Sequence, residues 1–161
     1  MGWVTLTLRK TELKRSHSDY QKELLDISRR KRQMARENHY EQLLVRNDQT
    51  EELRNMRTAY TTARDAINQQ LENENLTAED RTAIQNQLTA LQEDYQGDVN
   101  DTKAMYESDL SMLEEEANDE ETALDQEQVE IEAQLEAISA EIEAVGEAVS
   151  SQIQASTIKL S

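Results

Sequence analysis

The sequence contains no cysteine, no proline and no phenylalanine, and it has only three glycines and one tryptophan. Without cysteine the chain forms no disulfide, and without proline it lacks the residue that most strongly interrupts a helix. The shortage of aromatic residues leaves too few large apolar side chains for a core of several layers. Charged residues instead make up 32% of the 161 residues. This composition is typical of coiled coils and long helices, so we expect an all-α chain.

Long apolar runs are also absent, and none approaches the roughly 18 residues of a membrane-spanning helix. The first eight residues, Met1–Leu8, are too few for the apolar region of a secretory signal, and no basic residue precedes them. We therefore expect no cleavable signal peptide and no membrane span. The cytoplasm, a virion, and export by a signal-independent route all remain open as locations.

Motifs that carry chemistry are missing as well. There is no glycine-rich phosphate loop and no Glu-x-x-His pair of the kind that holds two metal ions in a helical bundle. The two histidines, His17 and His39, lie more than about 30 Å apart if they share one helix. The acidic cluster at 114–121 lacks the glycine and the ligand spacing of a calcium loop. We therefore predict a non-catalytic protein without cofactor or metal.

The charges are divided unequally between the two parts of the chain. Residues 1–64 hold 14 Lys and Arg against 9 Asp and Glu, a balance of +5, whereas residues 65–161 hold 3 against 25, a balance of -22. The resulting net charge of -17 disfavours nucleic acid and anionic membranes as partners of the whole molecule. The basic run at 29–32 resembles the basic region of a basic-zipper protein, but an acidic arm is available to neutralise it.

A turn near residues 74–77 would bring the basic and acidic arms together. Thr77 and Asp80 have the spacing of a helix-capping box, and Asn73 and Asn75 can adopt the left-handed conformation that ends a helix. If the chain reflects about Asn75, residues 9–36 face roughly residues 114–141. Opposite charges beside an apolar seam then favour an antiparallel hairpin. The residues predicted to pair between the arms are Arg29, Arg30, Arg32, Arg36, Glu114, Glu115, Glu120 and Glu121.

Apolar residues recur at helical spacing in both arms. The first arm has a stripe at Leu13, His17, Tyr20, Leu24, Ile27 and Met34. The second arm repeats every eleven residues at Ile84, Tyr95, Tyr106 and Ala117, and then every seven at Leu124, Ile131, Ile138 and Val145. These steps of three and four place each set on one face of a helix. We favour a continuous second helix across Gly97, although that glycine marks a possible kink.

The two ends of the chain alternate apolar and polar residues, which is a strand-like pattern. We predict one elongated hairpin domain over 1–161, with an extended docking segment at 1–10, a basic helix at 11–73, a turn at 74–77, an acidic helix at 78–153 and an extended tail at 154–161. The lone tryptophan, Trp3, suggests that the ends anchor on a neighbouring subunit. The predicted assembly interface comprises Trp3, Val4, Leu6, Leu8, Ile153, Ile158 and Leu160.

These features predict a structural protein: a self-assembling coiled-coil subunit of a filament, tube or other large assembly. Its partners would be copies of itself, together with other proteins of the same assembly. In general pattern the chain resembles the helical-hairpin subunits of type III secretion needles and their filament extensions, and the terminal helices of flagellin. That resemblance implies self-assembly and export without a cleaved signal. The alternatives are a viral structural or scaffolding protein, and a prefoldin-like hairpin chaperone or adaptor.

Overall fold

The structure is a computed structural model that describes residues 2–160. Two α-helices contain nearly all of these residues, with α1 at Trp3–Leu71 and α2 at Ala78–Leu160. The helices pack against each other, and residues 2–160 include no strand. Pairs such as Arg30 with Glu127 and Tyr60 with Tyr95 show that the helices run antiparallel. The prediction of an all-α hairpin is confirmed, and α2 passes through Gly97 without a break.

The turn between the helices has the capping chemistry that its sequence predicts. The Thr77 hydroxyl accepts a hydrogen bond from the Asp80 amide at 3.1 Å, which satisfies one of the free amides at the start of α2. The Asn73 side chain accepts another from the Asn75 amide at 3.0 Å. The prediction of a left-handed asparagine is wrong, because no non-glycine residue of 2–160 has a positive φ. The Arg81 guanidinium instead donates to the Leu71 carbonyl at 3.2 Å.

The sequence predicted extended ends at 1–10 and 154–161, but the structure shows helix at 3–10 and 154–160; Met1 and Ser161 lie outside the described residues. Alternation over four or five residues is a weak signal, and a strand needs a paired neighbour for its backbone groups, whereas a helix satisfies its own. Hydroxyl side chains fit into both helical ends. Thr7 donates to the Trp3 carbonyl at 2.8 Å, and Thr157 donates to the Ile153 carbonyl at 2.9 Å.

Contacts divide the chain into two compact units, each built from a segment of α1 and a segment of α2. The end unit comprises residues 1–36 and 117–161, and the turn unit comprises residues 37–116. In the end unit the inward-facing residues recur every seven, as at Leu13, Tyr20, Ile27 and Met34. In the turn unit they recur every eleven, as at Ile84, Tyr95 and Tyr106. We call these inward-facing residues the seam; the prediction of one domain remains a prediction.

The register of the two helices differs from a reflection about Asn75. That reflection makes the numbers of facing residues add to 150, as those of the ion pair Arg9 and Glu141 do. Arg30 and Glu127 in the end unit, and Tyr60 and Tyr95 in the turn unit, add instead to 157 and 155. The turn is asymmetric, which explains the offset. The seam of α1 continues to its last residue, Leu71, whereas the seam of α2 begins only at Ile84, six residues after Ala78.

Very few side chains are buried. Among the described residues only Leu13, Ile27 and Ile131 are, all three in the end unit, and Ile27 is the most enclosed at 1% exposure. The remaining seam residues, including His17, are half-buried. Two packed helices cover only a narrow stripe of each other, so most of the side-chain surface stays in contact with solvent. Neither α1 nor α2, over the residues described, contains a stretch apolar enough to cross a membrane.

Candidate interaction surfaces

The end unit combines a basic helix segment with an acidic one. Residues 1–36 carry ten Lys and Arg and four Asp and Glu, a balance of +6, whereas residues 117–161 carry one and eleven, a balance of -10. Because the helices are antiparallel and in contact, these opposite charges lie side by side within the unit. Such an arrangement favours pairing of the two segments and disfavours pairing of either segment with its own kind.

Three ion pairs among the described residues join the helices of the end unit. The Arg9 guanidinium lies 2.8 Å from a Glu141 carboxylate oxygen, and the Arg30 guanidinium lies 2.7 Å from Glu127. The third pair is Lys31 with Asp125. The hydrogen bond to its glutamate is the largest influence on each arginine, and it raises the pKa of both Arg9 and Arg30 above the ordinary value.

Lys31 is the seam position that interrupts the apolar stripe of α1. It is half-buried, so its aliphatic stem packs between the helices while its ammonium group extends to the edge of the seam. There it donates to the Gln128 side chain at 2.7 Å as well as to Asp125. The lysine therefore keeps its charge paired at a position where an apolar residue would otherwise sit.

Of the eight residues predicted to pair between the arms, Arg30 forms an ion pair with the other helix. Its partner is Glu127, which was not among the eight. Arg32 and Arg36 donate to backbone carbonyls one turn earlier in α1. Within the end unit the remaining three form no ion pair and are exposed: Arg29, Glu120 and Glu121. In the turn unit Glu114 and Glu115 are exposed.

The acidic partners that the structure does use were among the acids of the second arm but were not singled out. Glu127 and Glu141 each come immediately before a seam residue, Gln128 and Ile142, as Arg9 and Arg30 do on α1. Side chains next to the seam can reach across it, whereas those on the outer face cannot. Position relative to the seam was therefore the missing signal, because local charge density alone selects residues on the outer face.

Large apolar side chains are exposed where α1 begins and α2 ends, both within the end unit. We call these residues the end cluster, and their exposed fractions run from 47% to 89%: Trp3, Val4, Leu8, Ile153, Ile158 and Leu160. Leu6, the seventh residue of the predicted assembly interface, is half-buried on the seam. The register explains the exposure, because Ile153 lies level with about Trp3 and the described residues of α1 do not extend opposite 154–160.

The turn unit contains an aromatic and polar set on its seam. The rings of Tyr60 and Tyr95 stack, with 4.3 Å between their centroids and 12° between their planes, and the Arg64 guanidinium lies 6.0 Å from the Tyr60 ring. The Tyr106 hydroxyl donates to Glu52 at 2.7 Å. The tyrosine stack and the Tyr106–Glu52 hydrogen bond join α1 to α2, whereas the Arg64 contact lies within α1. None of the three forms a concave site.

Tyr106 should titrate well above an ordinary tyrosine. The hydrogen bond to Glu52 is the largest cause, followed by partial burial and the nearby negative charges, and together they raise the pKa of Tyr106 to about 12 from 10.0. The folded protein therefore binds this proton more tightly than the unfolded chain does. The stabilisation is complete below pH 10 and is lost as the pH rises from about 10 to about 12.

Ultraviolet titration of the tyrosines measures this effect. Glu52→Gln should return one high-pH transition toward the ordinary tyrosine range, because the amide removes the negative charge. Glu51→Gln, a neighbouring exposed carboxylate that does not contact Tyr106 within hydrogen-bond distance, is the control. Equal titration curves for the wild type and the Glu52 variant would contradict the assignment.

Groups of three or more His, Asp or Glu side chains placed to hold a metal ion are absent from residues 2–160. The shallow depression over Ala78, Thr82 and Asn86 is one face of the first turns of α2 and is open to solvent. The surfaces that can serve for recognition therefore include the end cluster and the exposed apolar and charged faces of the helices. Comparisons with protein-family models, with curated proteins and with solved structures found no match to this chain.

Proposed function

We propose that the protein is a structural subunit that assembles with copies of itself, with the end cluster as its principal contact. The observation that supports this proposal best is the concentration of exposed apolar side chains in the end cluster, where six large residues are at least 47% exposed. Scattered apolar residues are normal on a protein surface, but a grouped set indicates an interaction site. Trp3 is the strongest single anchor, because tryptophan is enriched among the residues that dominate binding energy.

Charge makes a second copy the best partner for this surface. Among the described residues of the end unit, five exposed bases of α1 form no ion pair: Lys14, Arg15, Arg29, Arg32 and Arg36. Eight acids of α2 in the same unit also form none: Asp119, Glu120, Glu121, Glu130, Glu132, Glu136, Glu143 and Glu147. Each copy thus presents both members of a complementary pair of faces, and a second copy satisfies both at once.

The surplus of negative charge disfavours a polyanion as the partner. At a net charge of -17 the whole chain repels nucleic acid and anionic membranes, even though its basic residues are grouped. Contact between the basic α1 of one copy and the acidic α2 of another removes that conflict. Coiled-coil packing between copies would also bury the edges of the seam, which the two-helix unit leaves in water.

Replacing three residues of the end cluster by glutamine tests the proposal. The triple variant W3Q/L8Q/L160Q keeps good helix formers but removes the apolar contact, so it should retain the far-ultraviolet circular dichroism of the wild type and lose the larger assemblies. The control Y40Q/M105Q/M112Q removes three exposed apolar side chains that are divided between the two helices of the turn unit, and it should assemble like the wild type. Sedimentation velocity and negative-stain electron microscopy at tens of micromolar measure the outcome.

Two results would count against the proposal. One is a wild-type protein that remains monomeric at that concentration. The other is a W3Q/L8Q/L160Q variant that assembles as the wild type does. An assembly that appears only after another protein is added would instead favour a scaffold, and suppression of client aggregation by a closed oligomer would favour a chaperone.

A further inference from the structure

The end unit has two edges, one on each side of its seam. The position of a residue relative to its neighbouring seam residue determines on which edge it lies. Successive residues of a helix are about 100° apart, so the residue before a seam residue and the residue after it lie on opposite sides. On α1, Arg30 comes before the seam residue Lys31, whereas Leu25 comes after the seam residue Leu24, one seven-residue repeat earlier. Arg30 and Leu25 therefore lie on opposite edges of α1.

The same rule sorts α2. Glu127 comes before the seam residue Gln128 and Val129 comes after it, so these two also lie on opposite edges. Because the helices are antiparallel, residues that precede the seam on α1 meet residues that precede it on α2, which is what the Arg30–Glu127 and Arg9–Glu141 pairs show. We call this edge the paired edge. By the same geometry Leu25 and Val129 share the other edge.

We call that second edge the open edge. Asp125, which follows the seam residue Leu124, lies on it and pairs with the seam residue Lys31. Its other feature is a set of exposed apolar residues. Leu25 and Val129 are 61% and 64% exposed, and their numbers add to 154, so they are nearly level. Val4 lies three seven-residue repeats before Leu25, and Ile153 follows the seam residue Gln152; both are about half exposed, and they too are level with each other. The open edge thus presents two apolar pairs, about 30 Å apart along the helices.

Charges on the open edge are complementary between the two helices. Lys14 and Arg32 follow seam residues on α1, and Glu132, Glu136 and Glu143 follow seam residues on α2. All five are exposed, and none forms an ion pair. A complementary partner would place acids against the bases of α1 and bases against the acids of α2, and it would cover both apolar pairs. The same edge of a second copy is such a partner.

We infer that the end units of two copies pack through their open edges about a twofold axis parallel to the helices, forming an antiparallel four-helix bundle. This inference rests on the proposed self-assembly and specifies its partner and geometry. With the axis parallel to the helices, α1 of each copy lies against α2 of the other, and Leu25 of one copy lies level with Val129 of the other. A perpendicular axis would instead place α1 against α1, with base facing base, which is unfavourable.

The absence of cysteine permits a direct test, because a single introduced thiol is unique in the chain. The variants Leu25→Cys and Val129→Cys are made separately and then mixed, so that a cross-link between them can only join two copies. Oxidation of the mixture should give about tenfold more covalent dimer than oxidation of either variant alone, because thiols on diagonal helices are beyond the roughly 7 Å limit for a disulfide. Non-reducing electrophoresis measures the dimer.

Matched variants on the paired edge provide the control. Glu23→Cys and Gln134→Cys precede the seam residues Leu24 and Leu135, are exposed, and are level with each other. Their mixture should give no more dimer than either variant alone. If this control mixture cross-links better than the Leu25 and Val129 mixture, or if Leu25→Cys cross-links best with itself, the inferred interface is wrong.

Repeating the experiment in the W3Q/L8Q/L160Q background separates this inference from the proposal about the end cluster. None of those three residues belongs to the four apolar residues of the open edge. If the variant keeps the preferred cross-link and loses the larger assemblies, both the open-edge interface and the end-cluster proposal are supported. Loss of the preferred cross-link with unchanged larger assemblies overturns the open-edge interface and the end-cluster proposal together. If the protein without the three glutamine substitutions assembles but shows no preference for the Leu25 and Val129 mixture, the open-edge interface alone is overturned.

Discussion

Replacing Ile27 by alanine should destabilise the end unit by about 2–5 kcal/mol, which is the usual cost of truncating a fully buried Ile or Leu to Ala. Ile27 is the most enclosed side chain among the described residues, with 1% exposure, and only Leu13 and Ile131 are comparably buried. A two-helix unit has no second layer that could move in and fill the cavity. The loss should therefore lie toward the upper part of that range.

Urea unfolding at low protein concentration measures this effect. The single tryptophan, Trp3, belongs to the end unit, so its fluorescence follows that unit while circular dichroism follows all helices. Leu44→Ala is the control, because Leu44 lies in the turn unit of the same helix and is 44% exposed. Exposed truncations away from packed contacts usually change stability by about 0.5 kcal/mol or less. Equal shifts in the two variants would contradict the assignment of Ile27 to the core.

Periodicity was sufficient to predict the two helices and their pairing. The stripe through Leu13, Ile27 and Met34, and the change from an eleven-residue to a seven-residue repeat near Ala117, both correspond to the inward-facing residues of the structure. Thr77 was sufficient to predict the start of α2. These signals are local and repeated, so many residues support the same conclusion.

The register and the ends were not predictable in the same way. The register depends on how the turn residues pack, and specifically on α2 making almost two turns before Ile84 enters the seam. The ends carry too few residues for alternation to outweigh the self-contained hydrogen bonding of a helix, as Thr7 and Thr157 show. Both differences occur where only a few residues determine which of two conformations forms.

The charged residues show a related limit. Composition correctly placed the basic and acidic faces together, but a count of charges does not reveal which side chains reach across. Arg29 and Arg30 are neighbours in the chain. Of these two, Arg30 precedes a seam residue and meets a carboxylate of α2, whereas Arg29 does neither. Exposed bases and acids of the end unit that form no ion pair, such as Arg29 and Glu120, stay available to a partner. The same composition therefore supports both the hairpin and the proposed assembly.

Reversing the two arginines of the paired edge should weaken the end unit strongly at low salt. In R9E/R30E each new glutamate faces Glu141 or Glu127, so two attractive pairs between the helices become repulsive. Each new glutamate also faces an acid of α1 itself, Glu12 or Asp26, with which the arginines form weaker ion pairs. Thermal unfolding of the dilute variant should begin well below that of the wild type in low salt. The difference should shrink markedly near 1 M salt, where charges are screened beyond about 3 Å.

Compensating changes and a charge-matched control show whether the pairs themselves are responsible. R15E/R29E makes the same change in net charge at two exposed bases of α1 that form no ion pair, so it should unfold close to the wild type. Adding E127R and E141R to R9E/R30E restores opposite charges on both pairs and should recover most of the lost stability. If R15E/R29E is as damaging as R9E/R30E, or if the compensated variant does not recover, then general charge balance holds the helices of the end unit together, and the two specific pairs do not.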